Sequence, residues 1–290
     1  MSRKAEVIVW DVQHGLAIYI KSPNGRHIVI DLGTGDYSGN NASFSPLRHL
    51  YANYGVRQID TLIITHPHLD HIDDINLADS LSPKSLTCSR AISEELIMDG
   101  VLEKDKPKYR RFIDMRDRYS NDIPNDSPEA LTNPDNWGGM SISTFAPLSY
   151  DGANINNYGI ITVIEYAGVT IVIPGDNEEG NLADFMKRPI FKSVIKDAHI
   201  LIAPHHGRKS GFNTDFANHI NPYLTIVSDG RHCDTSANHR YSAVSRGWLV
   251  HRRNGSPATT RKCLTTNSDG EVYIQFGYND DDSRYLEVKI

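Results

Sequence analysis

Short hydrophobic runs separated by turn residues open the chain. Runs rich in Val and Ile at 6–10, 16–21 and 26–31 predict strands, and the Gln-His-Gly and Pro-Asn-Gly segments between them are typical of hairpin turns. Hydrophobic residues then follow helical spacing over 45–54 and return to an unbroken run at 59–65. The pattern predicts three strands, a helix and a further strand.

The rest of the chain alternates between helical and strand patterns around one irregular stretch. Residues 120–139 contain three prolines, four asparagines and a Gly-Gly pair, which predict a surface loop or lid. The other predicted elements are helices at 92–104, 108–119, 178–187 and 243–252 and strands at 140–145, 160–167, 169–174, 198–203, 223–228, 272–276 and 285–289. Two groups of strands with helices between them predict an α/β fold, an αββα sandwich of two mixed sheets flanked by helices. We expect a single domain over 1–290, with an irregular insertion or lid at about 86–139.

Composition narrows the class of protein. The formal net charge of −6 excludes a uniformly basic coat for nucleic acid, but not a local basic face. The three cysteines form no CxxC pair, which argues against a disulfide framework or a thiolate zinc site and fits a reducing compartment. No apolar run approaches the ~18 residues of a membrane span, so we expect a cytoplasmic protein without membrane contact.

Four side chains that can bind a metal follow the predicted strand at 59–65. They are His66, His68, Asp70 and His71, in the order His-x-His-x-Asp-His. Imidazole and carboxylate groups suit zinc, manganese or iron. A turn of solvated histidines is the alternative, but so many metal-binding side chains at one strand end favour a metal site.

Two later strand ends offer further ligands. Asp176 follows the strand at 169–174, and His205 and His206 follow the strand at 198–203. Taken singly, Asp176 is explained as a turn or helix-cap residue, and the histidine pair alone does not define a site. Together with the first cluster, they supply carboxylates and imidazoles for two metal ions, which Asp176 could bridge.

The motif from His66 to His71 resembles the HxHxDH signature of the metallo-β-lactamase superfamily, whose αββα sandwich agrees with the predicted strand order. Further segments are similar to motifs in the soluble hydrolase domain of competence DNA-uptake channel proteins of the ComEC type. These segments are 10–17, 30–33, 173–176, 203–207, 226–230, 240–241 and 268–270. The resemblance covers most of the chain, and 86–139 is the least matched part.

The resemblance implies a site for two divalent metal ions, zinc or manganese. Its ligands would be His66 and His68 for the first ion, Asp70 and His71 for the second, Asp176 between the two, and one of His205 and His206 to complete the second site. His205 is preferred because it lies nearer the strand end. Asp70 and Asp176 are the expected catalytic residues. Asp31, at the end of its own strand, would orient the cluster from outside it, unless it is a plain strand-end aspartate.

The first site lacks one imidazole. Superfamily members with a full first site supply a third histidine between the motif and the bridging aspartate, whereas no histidine lies between His71 and His199 here. The first site is therefore short of one ligand unless Asp151, Asn156, Asn157 or water fills that position, and more oxygen ligands shift the preference from zinc toward manganese. A thiol-dependent glyoxalase or a lactamase, which depends on a complete first site, is disfavoured.

Histidines outside these segments are interpreted separately. His14, His27 and His49 precede the motif without a partner in sequence and are expected to be structural or exposed. The competence-type pattern has Tyr-Gly-His-Pro where this chain has Arg-Tyr-Ser-Ala, so the histidine of that motif is absent. His239 and Tyr241 remain candidates for contact with the substrate.

Basic residues concentrate beyond the histidine pair. Residues 204–263 carry nine Lys and Arg against three acids, a net charge of +6, which leaves −12 for the rest of the chain. A positive half beside the metals would draw polyanions into the cleft, with Arg208, Lys209 and Ser210 as the nearest candidates for substrate binding. A solvated helix face is the alternative.

The predicted helix at 108–119 is a second basic segment. Tyr109 and Tyr119 bracket its cations, and aromatic rings among cations suit unpaired bases.

A hydroxide held between two metal ions can attack phosphorus or a carbonyl carbon, so the charge around the site decides between substrates. We predict a metal-dependent hydrolase, a phosphodiesterase or nuclease, whose partner is nucleic acid or another phosphodiester. The alternatives are a hydrolase of a small ester, lactone, thioester or cyclic nucleotide, and a non-catalytic binding partner; the segment 86–139 is a possible docking site for a protein.

Overall fold

The computed structural model describes residues 3–36, 43–149, 152, 154–230 and 237–290. The strands within these ranges are β1 (Lys4–Val9), β2 (Ile18–Lys21), β3 (His27–Ile30), β4 (Gly35–Asp36), β5 (Ser43–Phe44), β6 (Thr61–Ile64), β7 (Ser85–Cys88), β8 (Ser141–Phe145), β9 (Ile161–Tyr166), β10 (Val169–Ile173), β11 (Ile200–Ile202), β12 (Leu224–Val227), β13 (Trp248–His251), β14 (Thr259–Arg261), β15 (Cys263–Thr265), β16 (Val272–Tyr278) and β17 (Arg284–Lys289).

Helices connect most of these strands. The α-helices of the described residues are α1 (Pro46–Asn53), α2 (Leu69–Ile72), α3 (Glu94–Met98), α4 (Lys106–Arg118), α5 (Glu179–Phe185), α6 (Pro189–Ile195), α7 (Thr214–Ile220), α8 (Asn238–Val244) and α9 (Thr266–Asp269). Short 3₁₀ helices span Ile75–Leu81, Pro134–Trp137, Ile155–Tyr158, Pro204–Gly207 and Lys209–Gly211. None of the helices in the described ranges has the length and hydropathy to cross a membrane.

The strands form two main sheets. Over the described residues, the first has nine strands in the order β14-β13-β17-β16-β1-β2-β3-β6-β7, and the second has six in the order β15-β12-β11-β10-β9-β8. Both sheets mix parallel and antiparallel pairs: in the first, β1 pairs antiparallel with β2, whereas β3 and β6 are parallel. The strands β4 and β5 make a separate small pair.

The side chains of β1 alternate between the two faces of the first sheet and show how the layers are built. Val7 and Val9 point into a core shared by the two sheets, where they pack with Ile171 and Ile200 of the second sheet. Ile8, between them, points to the opposite face and packs with the helices outside the first sheet. Successive side chains of a strand point to opposite faces, so strands buried on both faces read as nearly unbroken apolar runs.

Helices cover the outer face of each sheet. Phe112 of α4 packs on the first sheet, and Phe185, Phe191 and Phe216 of α5, α6 and α7 pack on the second. The layer order is helix, sheet, sheet, helix, which confirms the predicted αββα sandwich.

The helix predicted at 243–252 is wrong, and the one predicted at 92–104 is limited to α3 (Glu94–Met98). Residues 243–252 were expected to be helical, but α8 ends at Val244 and β13 begins at Trp248. Gly247 between them has φ +110°, a conformation that helices do not use. The strand is then held on both sides, by β14 and by β17.

The segment 86–139 is less irregular than its composition indicates. Its first residues belong to β7, which pairs in parallel with β6, and α4 buries Phe112 and Met115 in the core outside the first sheet. Trp137, in the 3₁₀ helix near its end, is fully buried between the sheets. The segment is therefore packed into the sandwich at both ends.

Parallel pairing brings the candidate ligands to one edge. The strands β3 and β6 run parallel in the first sheet, and β10, β11 and β12 run parallel in the second. Parallel strands end at the same edge of a sheet, so the residues that follow them converge there. Those residues include Asp31, His66, Asp176, His205 and Ser228.

Candidate metal centre

The turn after β6 is held from inside by a buried carboxylate. Asp31 is fully buried, and it accepts hydrogen bonds from the Thr65 amide at 2.7 Å and the Thr65 hydroxyl at 2.6 Å. It also accepts from Nδ1 of His71 at 2.7 Å. With Nδ1 used in this way, Nε2 of His71 faces the site. This is the geometry by which an outer carboxylate orients a histidine ligand.

The end of β10 is pressed against the end of β6, across the gap between the sheets. Gly175 has φ +60°, and a Cβ there would lie 2.9 Å from Cβ of Thr65, closer than side chains tolerate. The Ile160 amide also donates to the Thr65 carbonyl at 3.0 Å. The glycine therefore lets Asp176 reach the ligands of the first sheet.

A turn after β11 separates the two neighbouring histidines. His205 and His206 both have positive φ, 49° and 54°, which is strained for residues other than glycine. Nδ1 of His206 donates to the Ser228 carbonyl at 2.9 Å, which leaves Nε2 directed at the cluster. The structure places His206 in the cluster, whereas the sequence favoured His205.

Four side chains bring one ligand atom each within 4.8 Å of one another: Asp70, His71, Asp176 and His206. Nε2 of His206 is 3.2 Å from Asp176 and 3.3 Å from Asp70, and Nε2 of His71 is 3.3 Å from Asp176. Ligands of a tetrahedral zinc ion with bonds of 2.0–2.1 Å lie about 3.4 Å apart. The donor set and its spacing therefore fit a divalent ion.

Charges in this group are strongly coupled. Burial lowers the pKa of His206, but the Asp176 and Asp70 carboxylates outweigh it and raise that pKa to about 9. Burial also opposes charge on His71, yet Asp176 and Asp31 hold its pKa well above the usual range. Burial would raise the pKa values of Asp70 and Asp176, and the imidazolium charges hold both well below normal. Metal binding at neutral pH must therefore displace protons from the histidines.

His66 and His68 lie on the other side of Asp176. Nε2 of His66 is 3.0 Å from Nδ1 of His68 and 3.9 Å from the Asp176 carboxylate. Burial lowers the pKa of both imidazoles, so they are neutral at pH 7 and available as ligands. Asp176 thus lies between the two histidine groups, as a bridging ligand would.

Asn156 supplies an oxygen beside the incomplete first site. Its side chain lies next to His68, where it raises the pKa of that imidazole, and its buried Oδ1 has no hydrogen-bond partner of good geometry. Oδ1 of Asn157 already accepts from the Glu178 amide at 3.1 Å. Asp151 lies outside the described residues. Of the described alternatives, Asn156 is therefore the one whose side chain lies next to a histidine of the first site.

His205 lies at the rim of the site among polar residues. Its Nε2 is 3.9 Å from Asp176 and 3.2 Å from the Arg208 guanidinium, and its Nδ1 is 2.9 Å from the Ser210 hydroxyl. Lys209 is exposed on the same short turn. The structure therefore places Arg208, Lys209 and Ser210 at the edge of the metal centre.

Tyr241 cannot contact a substrate in this arrangement. Its side chain is 1% exposed, and its hydroxyl donates to the Gly211 carbonyl at 3.2 Å. The ring packs edge-on against Phe212, so the residue anchors α8 to the turn after β11. His239, two positions earlier, is on the surface of α8.

The described cations of the basic segment 204–263 do not form one continuous face. Arg246 lies 3.5 Å above the ring of Tyr223. Tyr223 precedes β12, so it lies at the edge of the second sheet opposite to the candidate ligands, which follow the strands. Arg253 pairs with Glu271, and Arg261 pairs with Asp269 at 3.0 Å. Arg252 and Arg253 follow β13, whereas the ligands His66 to His71 follow β6. These two strands are six positions apart in the first sheet, roughly 30 Å at about 4.8 Å per strand. Among the described cations of this segment, Arg208 contacts His205 beside the metal ligands, and Lys209 follows it on the same turn.

Most of the cations of α4, and both of its tyrosine rings, are engaged within the chain. Lys108 pairs with Asp73, and Arg111 and Arg118 both pair with Asp79. Tyr109 is 8% exposed, and the half-buried Tyr119 donates its hydroxyl to the Pro83 carbonyl. These two rings therefore do not form an open platform for stacked bases.

His14 belongs to the site, although sequence reasoning placed it elsewhere. Its Nε2 lies 3.2 Å from the Asp70 carboxylate, and its ring centroid lies 5.0 Å from that of His206. The Gln-His-Gly segment has the composition of a hairpin turn, but the connection between β1 and β2 spans residues 10–17. The connection is longer than the turn between the predicted strands, and no pattern of residue types indicates this.

A family model described as the metallo-beta-lactamase superfamily matches residues 10–213, more than half of the chain. The chain belongs to this superfamily, whose members are generally metal-dependent hydrolases. The protein is similar to ComE operon protein 3 of Bacillus subtilis (strain 168), with 22% identity over 244 residues. The match covers 80% of this chain and 29% of that protein, so the chain spans less than a third of this relative.

A solved structure shares the fold. The CmlA beta-hydroxylase E377D mutant aligns with a TM-score of 0.52 and 11% identity, over 92% of this chain and 53% of that chain. A diphosphatase from the PhnP family aligns with a TM-score of 0.44 and 10% identity, over 95% of this chain and 99% of that chain.

Proposed function

We propose that this protein is a metal-dependent phosphodiesterase that acts on nucleic acid. The observation that carries the proposal is the position of Arg208, whose guanidinium contacts His205 at the rim of the metal centre. A phosphodiester is anionic and gains from a cation beside the ligands, whereas a neutral ester or lactone does not. The resemblance of several motifs to the competence DNA-uptake proteins supports the same class of substrate.

The ligand geometry supports two divalent ions. One would be held by Asp70, His71, Asp176 and His206, and the other by His66, His68, Asp176 and Asn156. Bound there, the ions would polarise a phosphoryl oxygen and lower the pKa of a water molecule. The site of His66 and His68 would have two imidazoles and two oxygen ligands, which makes it better suited to manganese than to zinc.

Changing Asn156 should alter metal binding only at the site of His66 and His68. We expect Asn156→Leu to weaken manganese binding there by at least about tenfold, since even outer partners of ligands contribute 10–100-fold. Asn156→His should instead raise the affinity for zinc, because it restores a third imidazole. The measurement is metal content after dialysis together with titration of the metal-free protein.

The exposed Asn53 of α1 provides the matched control, and Asn53→Leu should bind metals as the parent does. Unchanged manganese and zinc binding in both Asn156 variants would show that Asn156 is not a ligand.

A small phosphodiester, such as a cyclic nucleotide, is the second candidate substrate. The internal pairing of the cations on α4 favours it, because few basic side chains are left to follow a long strand. Arg208 and Lys209 would then face a single phosphate. Nucleic acid and a small substrate therefore differ in the expected dependence on salt.

The double variant Arg208→Ala, Lys209→Ala separates these substrates. For single-stranded DNA, we expect weaker binding and a salt slope that falls by about 0.7 for each phosphate that is no longer neutralised. Hydrolysis of bis(p-nitrophenyl) phosphate should decrease less, because the metal ligands remain. The measurements are binding by fluorescence anisotropy from about 50 to 300 mM salt, a range in which binding to phosphates weakens by orders of magnitude, and initial rates on both substrates.

Arg252 and Arg253, on the distant edge of the first sheet, supply a control with the same change of charge. Arg252→Ala, Arg253→Ala should bind DNA like the parent protein. If the Arg208 and Lys209 variant retains the parental salt slope, nucleic acid is the wrong substrate. Activity on the small phosphodiester alone would then favour the second candidate.

A further inference from the structure

The loop between β1 and β2 is attached to both halves of the metal centre. The Leu16 amide donates to the Asp70 carbonyl at 3.2 Å, which ties the loop to the His66–His71 turn. The Ser228 hydroxyl donates to the Gly15 carbonyl at 2.7 Å, which ties it to the end of β12. The loop therefore spans the same two sheets as the ligands.

Close contacts fix the backbone on both sides of His14. Gly15 has φ +141°, and a Cβ there would lie 2.5 Å from the Asp70 carbonyl oxygen. A Cβ on Gly230 would lie 2.7 Å from the amide nitrogen of His14. The backbone at His14 and Gly15 therefore packs closely against the Asp70 turn and against the segment that follows β12.

The imidazole of His14 covers Asp70 on its solvent side. The His14 side chain is 45% exposed and the Asp70 side chain 21%, and Nε2 lies 3.2 Å from Oδ2. The same Oδ2 is 3.3 Å from Nε2 of His206. A carboxylate oxygen has two lone pairs, so it can accept one hydrogen bond and still bind a metal.

We propose that His14 is a positioning residue that donates a hydrogen bond from Nε2–H to Oδ2 of Asp70 and so fixes this ligand for the metal. The inference rests on the metal site of the proposed function. Asp70 is the most exposed of the four clustered ligands, so its carboxylate has the most freedom to rotate. His14 removes that freedom from the open side, as Asp31 does for His71 from the buried side.

Two substitutions of His14 distinguish a hydrogen-bond donor from a ligand or a space-filling ring. His14→Leu removes the donor and keeps much of the volume, and His14→Gln keeps an N–H that can reach Asp70. We expect His14→Leu to weaken binding of zinc, and separately of manganese, by about 10–100-fold. His14→Gln should bind both metals close to the parental affinity. The measurement is competition with a chromogenic chelator, using the metal-free protein.

His219 is a suitable control because its Nε2 bonds the Lys192 carbonyl at 2.8 Å, at the opposite end of the strands from the site. His219→Leu should leave metal affinity unchanged. Circular dichroism should show the same secondary structure in all three variants, because His14 is not part of the core.

The outcomes separate this inference from the proposed function. If the parent binds metal and His14→Leu binds it equally well, the positioning role is overturned while the metal site stands. If His14→Gln loses as much affinity as His14→Leu, His14 acts through its imidazole as a ligand, which also overturns the role proposed. If the parent binds neither metal, both proposals fail.

Discussion

Replacing Asp176 with asparagine is expected to remove metal-dependent hydrolysis, because its carboxylate lies within 3.9 Å of four imidazoles, those of His66, His71, His205 and His206. Oδ2 is 3.2 Å from His206, and Oδ1 is 3.3 Å from His71. His66 lies 3.9 Å away on the other side. Outer partners of ligands already contribute 10–100-fold to metal affinity, so loss of a shared ligand should cost more than about 100-fold.

Metal content and activity should fall together in this variant. Asparagine nearly preserves the volume of the side chain, so the far-ultraviolet circular dichroism spectrum should match that of the parent. Asp184→Asn makes the same change on α5, where the carboxylate pairs with Lys187 in solvent, and should have no effect on either quantity. An Asp176→Asn protein that retains two metal equivalents would show that Asp176 is not the bridging ligand.

The ligands that the sequence predicts share one property: each follows a buried strand. Val and Ile runs are visible without a structure, and parallel strands end at one edge, so His66, Asp70 and Asp176 can be brought together by reasoning. Local backbone conformation cannot be read in the same way. The choice between His205 and His206 depends on two successive residues with positive φ, which no pattern of residue types indicates.

His14 illustrates a different limit. The sequence identifies its Gln-His-Gly segment as a turn, and both flanking strands are correctly predicted. What it does not show is that the loop crosses to the second sheet and bonds Ser228, 213 positions beyond Gly15. Contacts of this range depend on packing of the two sheets, so a single sequence gives no sign of them.

Charge counts from sequence also overstate the basic surface. A run of 204–263 with a net charge of +6 indicates a positive half, but pairing partners lie elsewhere in the chain. Glu271 and Asp269 neutralise Arg253 and Arg261 at an edge distant from the metal ligands. Among the described cations, Arg208 and Lys209 are therefore the ones that favour an anionic substrate.

Removing the carboxylate of Asp31 is expected to cause the largest loss of stability among single changes near the site. Asp31→Ala leaves the Thr65 amide, the Thr65 hydroxyl and Nδ1 of His71 buried without an acceptor. Each unsatisfied buried group costs about 1–3 kcal/mol, with partial relaxation reducing the sum. Asp31 also has φ +59°, where alanine adds about 1–2 kcal/mol of strain. We expect a loss of about 4 kcal/mol in the free energy of unfolding.

Two further variants divide this loss into its causes. Asp31→Asn keeps one acceptor and tolerates positive φ, so it should lose about half as much stability and still weaken zinc binding by about 10–100-fold through His71. Asp197 also has positive φ, 52°, but it is exposed and accepts a long 3.4 Å hydrogen bond from Nδ2 of Asn221, so Asp197→Ala measures mainly the backbone strain. Urea unfolding of the metal-free proteins gives the three free energies. If Asp31→Ala is no less stable than Asp197→Ala, the buried hydrogen bonds of Asp31 contribute nothing, and its role in orienting His71 is excluded.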